Sequence, residues 1–380
     1  MQLAIVITTI NVPIVIEQYI ANFNKYGRKN VEFIIVGDLK TPLEVEAYIK
    51  RINSSDFPCI YLDVSEQERI LRRVPEFAEF IPYNTVQRRN VGYLYAAERG
   101  ADAIISIDDD NWPLDEFDFA GAHSIVGETM ELDSEASSNG WYNSCSRLVS
   151  EPPRRFYHRG YPVSKRWQDE NIQGGMQRGK VMVNIGLWLD DPDVDTITRM
   201  KEPFTVTSVK EPKRCFAVAP GTLLPFNSQN TAFHRDILPL MYLITLPSGC
   251  EPLRGNNNFR YDDIWMSFFA KLVIDHMGGL VVIGPPHVRQ ARNPHDYMLD
   301  LRKEILPMEM TNRLAELLPQ IKLTETTYTG AYQELIEELR IKTAHGNLFD
   351  IEERRLIKDM LRGMRLWLEA LNSISGNMKS

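Results

Sequence analysis

The run Ile104-Ile105-Ser106-Ile107 breaks abruptly into Asp108-Asp109-Asp110, followed by Asn111-Trp112-Pro113. A short apolar run entered from a helix that stops at Gly100 predicts a buried strand. Pro113 prevents simple continuation of its ladder. The three acids therefore belong at the carboxyl end of a central strand, where open α/β sheets bind ligands. Clustered carboxylates repel one another unless a cation or a donor-rich ligand neutralises them. A hard divalent ion, Mg²⁺ or Mn²⁺, suits such a site, usually together with substrate phosphates. A solvated acidic turn is the other reading of the same three residues, and this stretch alone does not decide between them.

The first hundred residues supply the sheet around that strand. Leu3–Thr9 is a continuous apolar run ending in hydroxyls and predicts a first parallel strand. Asn11 and Pro13 are placed to start the next helix as cap and first-turn proline. Phe33–Val36 is a second strand closed by Gly37-Asp38, and Thr41-Pro42 is expected to cap a helix from Leu43 to Ile52. Cys59–Asp63 is a third, weaker strand. Asn84–Gly100 has helical period, with Val86, Tyr93 and Ala97 on one face. Alternating β and α units predict a largely parallel sheet with helices on both faces. Thr8, Thr9, Asn11 and Asp38 then fall at strand ends as ligand-facing positions. Asp38 is placed as an acid at the end of a second strand, which by analogy can accept from a ribose. No Gly-x-Gly-x-x-Gly is present, which disfavours a dinucleotide fold. Arg88 and Arg89 precede the acid strand, and one of them can serve a diphosphate through its fork of donors. Gly92 in mid-helix costs stability unless something packs closely against it.

Farther along, Gly121–Gly140 turns polar and predicts a helix and then a loop. Arg154–Pro162 is cationic and aromatic-rich, either a surface loop or a wall that meets an anionic ligand. Trp188, in the apolar-to-acidic switch Gly186–Asp193, is balanced between core and sugar platform. Gln229–Phe233 runs from polar to apolar and places Asn230 as a pocket residue. Arg260-Tyr261-Asp262-Asp263-Ile264-Trp265 is the second chemical focus. Apolar positions from Ile264 to Val273 share a helical face, so Asp262 and Asp263 start a buried helix. One of them can cap it while the other projects into a cleft. Leu280–Gly284 is a last strand, and His287 just beyond it is placed to complete a metal shell with the acids. After Glu304 the chain is Leu-, Glu- and Arg-rich. The expected division is therefore 1–304 as an α/β domain and 305–380 as a helical extension. Its basic face (Arg354, Arg355, Lys358, Arg362, Arg365) is a solvated surface, or else a contact for a partner helix, as in a homo-oligomer, or for a membrane surface.

Composition narrows the class. A net charge of −8 argues against general nucleic-acid affinity. No apolar run approaches the roughly 20 residues that span a membrane. Four scattered cysteines without a Cys-x-x-Cys pair argue against zinc or a disulfide scaffold and for a reducing, cytoplasmic setting.

Several segments occur together in order: Ser106–Asp110, Arg159-Gly160-Tyr161-Pro162, Gly186–Leu189, Gly221-Thr222-Leu223, Arg260–Trp265 and Asn293-Pro294. In this the chain resembles the reversibly glycosylated polypeptides, which include UDP-arabinopyranose mutases. The resemblance covers Ile104 to Glu304 well and the first hundred residues weakly. It implies a GT-A glycosyltransferase fold, UDP-sugar donors and a divalent metal. By the resemblance Asp108, Asp109 and Asp110 hold metal and UDP, and Arg89 matches the arginine ahead of Asn90-Val91-Gly92-Tyr93. Arg159 matches the arginine that becomes glycosylated in the family, and Asp262 and Asp263 match its Arg-Tyr-Asp-Asp. The chain departs from the pattern at Val288, where the family has a histidine, and around Glu151–Arg154. The expectation is a metal-dependent transferase moving a sugar from a UDP-sugar to an acceptor. The alternatives are a mutase that interconverts ring forms and a non-catalytic UDP-sugar-binding subunit.

Overall fold

The computed structural model describes residues 1–168, 170–246, 260–293, 295–344, 346 and 348–375. The Gly255–Asn258 approach to the second focus lies outside these residues. Strands β1 (Leu3–Thr8), β2 (Val31–Val36), β3 (Cys59–Leu62) and β4 (Ala103–Asp108) run parallel in the order β4-β1-β2-β3. They are nearly continuous apolar runs because helices cover both faces. The register places Thr8 between Val36 and Asp108, so three strand ends are level.

The chain then leaves this sheet at the acids. Strand β5 (Asn111–Pro113) belongs to a second sheet. It is followed by β6 (Thr129–Ser137), β7 (Leu148–Glu151), β8 (Ile172–Ile185), β9 (Trp188–Asp190), β10 (Thr205–Val209), β11 (Phe216–Val218), β12 (Thr231–His234), β13 (Leu280–Ile283) and β14 (Val288–Gln290). The main sheet has the order β13-β11-β6-β8-β12-β4-β1-β2-β3, and the second β5-β14-β9-β10-β7. Strand β12 is antiparallel to both neighbours, which makes the main sheet mixed. Gly121–Gly140 is not a helix and a loop. A short helix, Phe119–His123, is followed by β6, whose alternation of exposed and covered residues shows one wet face.

Two expected caps are used differently. The helix Val15–Lys25 has no side-chain cap, and neither has Glu44–Ile52. Asn11 instead donates to Asp109 at 3.4 Å, and Thr41 Oγ1 donates to the carbonyl of Thr9 at 2.8 Å. Tertiary partners at the strand ends have taken the polar groups that local geometry would have assigned to helix starts. Asn84–Gly100 begins as a 3₁₀ turn, Val86–Arg88, before the α-helix Arg89–Glu98, and Val86 is exposed rather than on the buried face. A Cβ on Gly92 would meet Val6 at 2.6 Å and Val36 at 2.7 Å. Gly92 therefore lets this helix lie against β1 and β2, which brings Arg88 and Arg89 to the strand ends.

The division expected at 304/305 falls inside one continuous helix, Tyr297–Leu317. Beyond it, Tyr328–Ala344 packs on Asp262–His276, and Ile351–Ser375 packs on Pro75–Phe80 and Arg89–Glu98. Trp367 is fully buried among Phe77 and Tyr242 and donates to the carbonyl of Leu238 at 3.2 Å. Truncating such a side chain to Ala costs about 3–5 kcal/mol. The C-terminal helices thus share their core with the helices behind the acid strand. On their basic face, Arg362 lies over the Phe80 ring and Arg365 approaches Glu337.

Candidate functional site

A cleft of about 470 Å³ opens over the ends of β1, β2 and β4. Thr8, Thr9, Asp38, Asp108, Asp109, Asp110, Arg159, Asp262 and Asp263 all line it. Residues more than 150 positions apart meet there because β4 ends, and the helix Asp262–His276 begins, on the same side of the sheet. Arg89 lies beneath, fully buried. Its guanidinium donates to Asp108, to Thr8 Oγ1 at 2.6 Å, to Ser106 Oγ at 3.1 Å and to Ser228 at 2.8 and 2.9 Å.

The acids at the end of β4 are held separately. Asp108 gives one oxygen to Arg89 and the other to Gln229 Nε2 at 2.5 Å. Asp109 Oδ2 accepts from Thr9 Oγ1 at 2.6 Å, and Asp110 Oδ1 from Gln290 Nε2 at 2.9 Å. Asp109 Oδ1 and Asp110 Oδ2 take no hydrogen bond from another described residue. Burial, then the charges of Asp108 and Asp109, push Asp110 up to about 7. Burial raises Asp109 as well. Two carboxylates whose ionisation is penalised, each with an open oxygen, suit an ion that also bonds to phosphate. They do not make an all-protein cage. Among the described residues no group of three or more His, Cys, Asp and Glu side chains is arranged to hold a metal.

At the second focus Asp263 accepts from the backbone of Ser228 at 3.0 Å and from Arg159 at 3.2 Å. Neither acid caps its helix, which has no side-chain cap. Asp262 Oδ2 is buried with no partner. Burial, then the neighbouring Asp263, push Asp262 up to about 8. Arg159 is 7% exposed and forks onto Asp193, Nε to Oδ1 at 2.8 Å and Nη2 to Oδ2 at 2.9 Å. It also donates to the carbonyl of Arg260. Burial opposes its charge, but Asp193 and Asp263 overrule it and hold its pKa well above the usual value. The segment Arg154–Pro162 is therefore a wall and not a loose loop: Phe156, Tyr157, His158 and Tyr161 are buried. Gly160 has φ +83°, and a Cβ there would meet Ile264 at 2.1 Å. A side chain would push the Arg159 turn off the helix that carries Asp263.

Three predicted site residues lie elsewhere. His287 does not reach the acids. It accepts from Leu187 N at 3.3 Å, contacts the carbonyl of Pro212 at 3.0 Å and packs edge-on to Phe117. Both ring nitrogens are used, and burial lowers its pKa to about 4, so it is a neutral structural residue. Trp188 is fully buried against His158 and is core, not a sugar platform. Asn230 is fully buried, donates to the carbonyls of Pro286 and Leu187, and sits at 3.0 Å from His123. It secures the turn before β12 rather than the cleft. Asn11 touches Asp109 from outside the lining.

The cleft also recruits residues the sequence did not single out. Gln290, Arg292, His295, Asp300 and Lys303 line one side. The Asn293-Pro294 pair was their only sequence signal. Arg260 pairs with Asp300, and Arg292 with Asp191 at 2.9 Å. Arg88 also lines the cleft. It donates to Gln67 at 2.8 Å, lies 4.4 Å over the Tyr83 ring, and leaves Nη2 buried without a partner.

The fold and the cleft's position define an α/β protein with its ligand site at the carboxyl ends of parallel strands. Within that class, a sequence model of the reversibly glycosylated polypeptide family matches residues 2–375. The chain belongs to that family. It is 30% identical over 227 residues to UDP-arabinopyranose mutase 3 of Arabidopsis thaliana, covering 57% of this chain and 55% of that protein. It is 34% identical over 149 residues to UDP-arabinopyranose mutase 1 of Oryza sativa subsp. japonica, covering 38% and 35%. The chain thus matches about half or less of these relatives' own length. Among solved structures, glucosyl-3-phosphoglycerate synthase from Mycobacterium tuberculosis aligns over 82% of this chain and 79% of its own at 10% identity, with a TM-score of 0.36, too distant to carry an argument. No helix among the described residues is long and apolar enough to cross a membrane.

Proposed function

We propose that the cleft binds a UDP-sugar and breaks the bond between the sugar's anomeric carbon and the β-phosphate, passing the sugar to an acceptor. The observation that carries this reading is Asp262, whose Oδ2 is buried without a partner on the same cleft as the acids of β4. A buried polar atom left unsatisfied needs an explanation, and a reacting ligand supplies one. The nucleoside lies over Thr8, Gly37, Asp38 and Arg88. The diphosphate lies between the β4 acids and the cations Arg260 and Arg292. A divalent ion, Mg²⁺ or Mn²⁺, would be held by Asp109 and Asp110 with diphosphate oxygens, and would neutralise charge on the leaving group.

In the step itself the C1–O bond to phosphate breaks and its electron pair leaves on UDP. The acceptor oxygen bonds to C1, and its proton passes to the ionised Asp262 carboxylate. A carboxyl pushed up to about 8 is a far stronger base than an ordinary aspartate. Arg159 stays charged, because a guanidinium gripped by two carboxylates is not a nucleophile. It orients the donor sugar.

The names of the relatives favour a second reading, in which the freed sugar recloses with another ring size and returns to UDP. NMR of the products from a panel of UDP-sugars, with and without acceptors, separates the two. Ring-isomer formation without acceptor makes the mutase reading the leading one. Intact mass spectrometry after the same incubation is expected to show no stable adduct at Arg159, and a sugar-mass shift mapped there overturns its orienting role.

A further inference from the structure

A closed circuit of hydrogen bonds joins the two acid foci. From Arg159 it runs to Asp193, then to Asn227, whose Nδ2 donates to Asp193 at 2.7 Å. Asn227 bonds to Gln229 twice, accepting from its backbone at 3.1 Å and donating to its side chain at 3.2 Å. Gln229 donates to Asp108, and Asp108 accepts from Arg89. Arg89 donates to Ser228, Ser228 donates to Asp263, and Asp263 accepts from Arg159. Asp193 and Asn227 are 3% and 0% exposed, and neither lines the cleft. Burial alone would raise Asp193, but Arg159 holds it well below the usual carboxylate range. The backbone of Arg159 also donates to the carbonyl of Asp193 at 2.9 Å, so main chain and side chain are both fixed by one residue.

We infer that Asp193 is the positioning residue that aims Arg159 at the sugar, and that Asn227-Ser228-Gln229 locks this pair to the Asp108 end of the cleft. The inference rests on the reading that the cleft takes a UDP-sugar. A bidentate carboxylate fixes both the plane and the direction of a guanidinium. With Nε and Nη2 committed to Asp193 and Asp263, and one Nη1 hydrogen to the carbonyl of Arg260, the second Nη1 hydrogen remains for the cleft. The bridge through Asn227 sets the distance from that guanidinium to the acid that Arg89 holds. The two ends of a donor molecule are then read by one rigid frame, which is what a reaction needing alignment to within about 1 Å requires.

The test is a double-mutant cycle on the full chain. Asp193→Asn and Arg159→Lys are made singly and together, with Asn227→Ala as a milder variant that leaves no buried charge unpaired. Turnover of UDP-arabinopyranose and UDP-glucose is measured, and calorimetry gives the affinities for UDP and for each UDP-sugar. Asp193→Asn is expected to cut turnover by about 100-fold, as misplacement of one group by about 1 Å does. UDP affinity should stay within about two-fold, and the preference for UDP-sugar over UDP should fall. The double variant should be no worse than the worse single one, because both act through one guanidinium. Asn227→Ala should cut turnover by about 10-fold and likewise add nothing to Arg159→Lys. Losses that multiply, or UDP affinity that falls together with thermal stability, overturn the assignment and make Asp193 merely structural. A wild-type protein that binds UDP and UDP-sugars while the cycle is additive overturns this inference alone. One that binds neither UDP nor any UDP-sugar overturns it together with the proposed function.

Discussion

At the end of β4 three aspartates are met by hydroxyls, amides and one arginine beneath them. At the start of the helix Asp262–His276 a guanidinium and Ser228 meet Asp263, while Asp262 keeps one buried oxygen without a partner. Asp109 and Asp110 each keep an oxygen open at the cleft, and both carry a penalty for ionising. Asp263 is fully engaged, and Asp262 is buried with an oxygen unpartnered. In the proposed reading the first arrangement is relieved by a cation that arrives with an anionic ligand, and the second keeps one carboxyl reactive and one arginine charged. Identical side chains are given different tasks by who donates to them.

The comparison is broken most severely by Asp262→Asn. Removing a group that accepts a proton in the reaction costs on the order of 10²–10⁴-fold in rate. UDP affinity should be retained, since the change is isosteric and away from the nucleoside end. Equal loss of UDP binding would move Asp262 from chemistry to binding. The acid strand is tested next by Asp110→Asn, which should remove the Mn²⁺ dependence of UDP binding in calorimetry while the fold persists. Unchanged metal dependence would leave the β4 acids without the proposed ion.

Stability against pH sharpens the contrast. Asp110 and Asp262 titrate higher in the fold than the usual aspartate value, near 7 and 8. Between about pH 4 and these values the folded chain binds more protons than the unfolded chain. Stability therefore falls as pH rises through that window. Thermal melts in the absence of divalent ions should show Tm declining from pH 5 to pH 8. Asp262→Asn should flatten the upper part of the decline and Asp110→Asn the middle, and a flat wild-type profile would refute both shifts. The smallest effect on the cleft is expected from His287→Ala. Its ring serves Leu187 and Pro212, so Tm should drop while metal and UDP affinities stay unchanged.

Local sequence made the strands around the acids legible. β1, β2 and β4 begin and end within a residue or two of where their apolar runs do, and Gly92 marks a close helix–sheet contact in advance. Nine proposed cleft residues are brought together because strand ends and a helix start are local features with a known place in an α/β layout. His287 and Trp188 follow strand ends too, yet they face inward. Which side of a short strand faces the cleft depends on the partner sheet, and β9 and β14 belong to the second one. Polar β6 is not legible as a strand in the sequence, because a strand with one wet face in an irregular sheet has little hydrophobic signal.

The sequence by itself determined that carboxylates end a buried strand and begin a buried helix, since apolar runs and their breaks are set by neighbours in the chain. Only the tertiary structure decided that both sets share one cleft and that Asp193 takes hold of Arg159 from 34 residues away. It also decided that the C-terminal helices close the core behind the acid strand. Those outcomes depend on which distant groups are left to satisfy a buried charge or cover an apolar face, and chain order does not encode that choice locally.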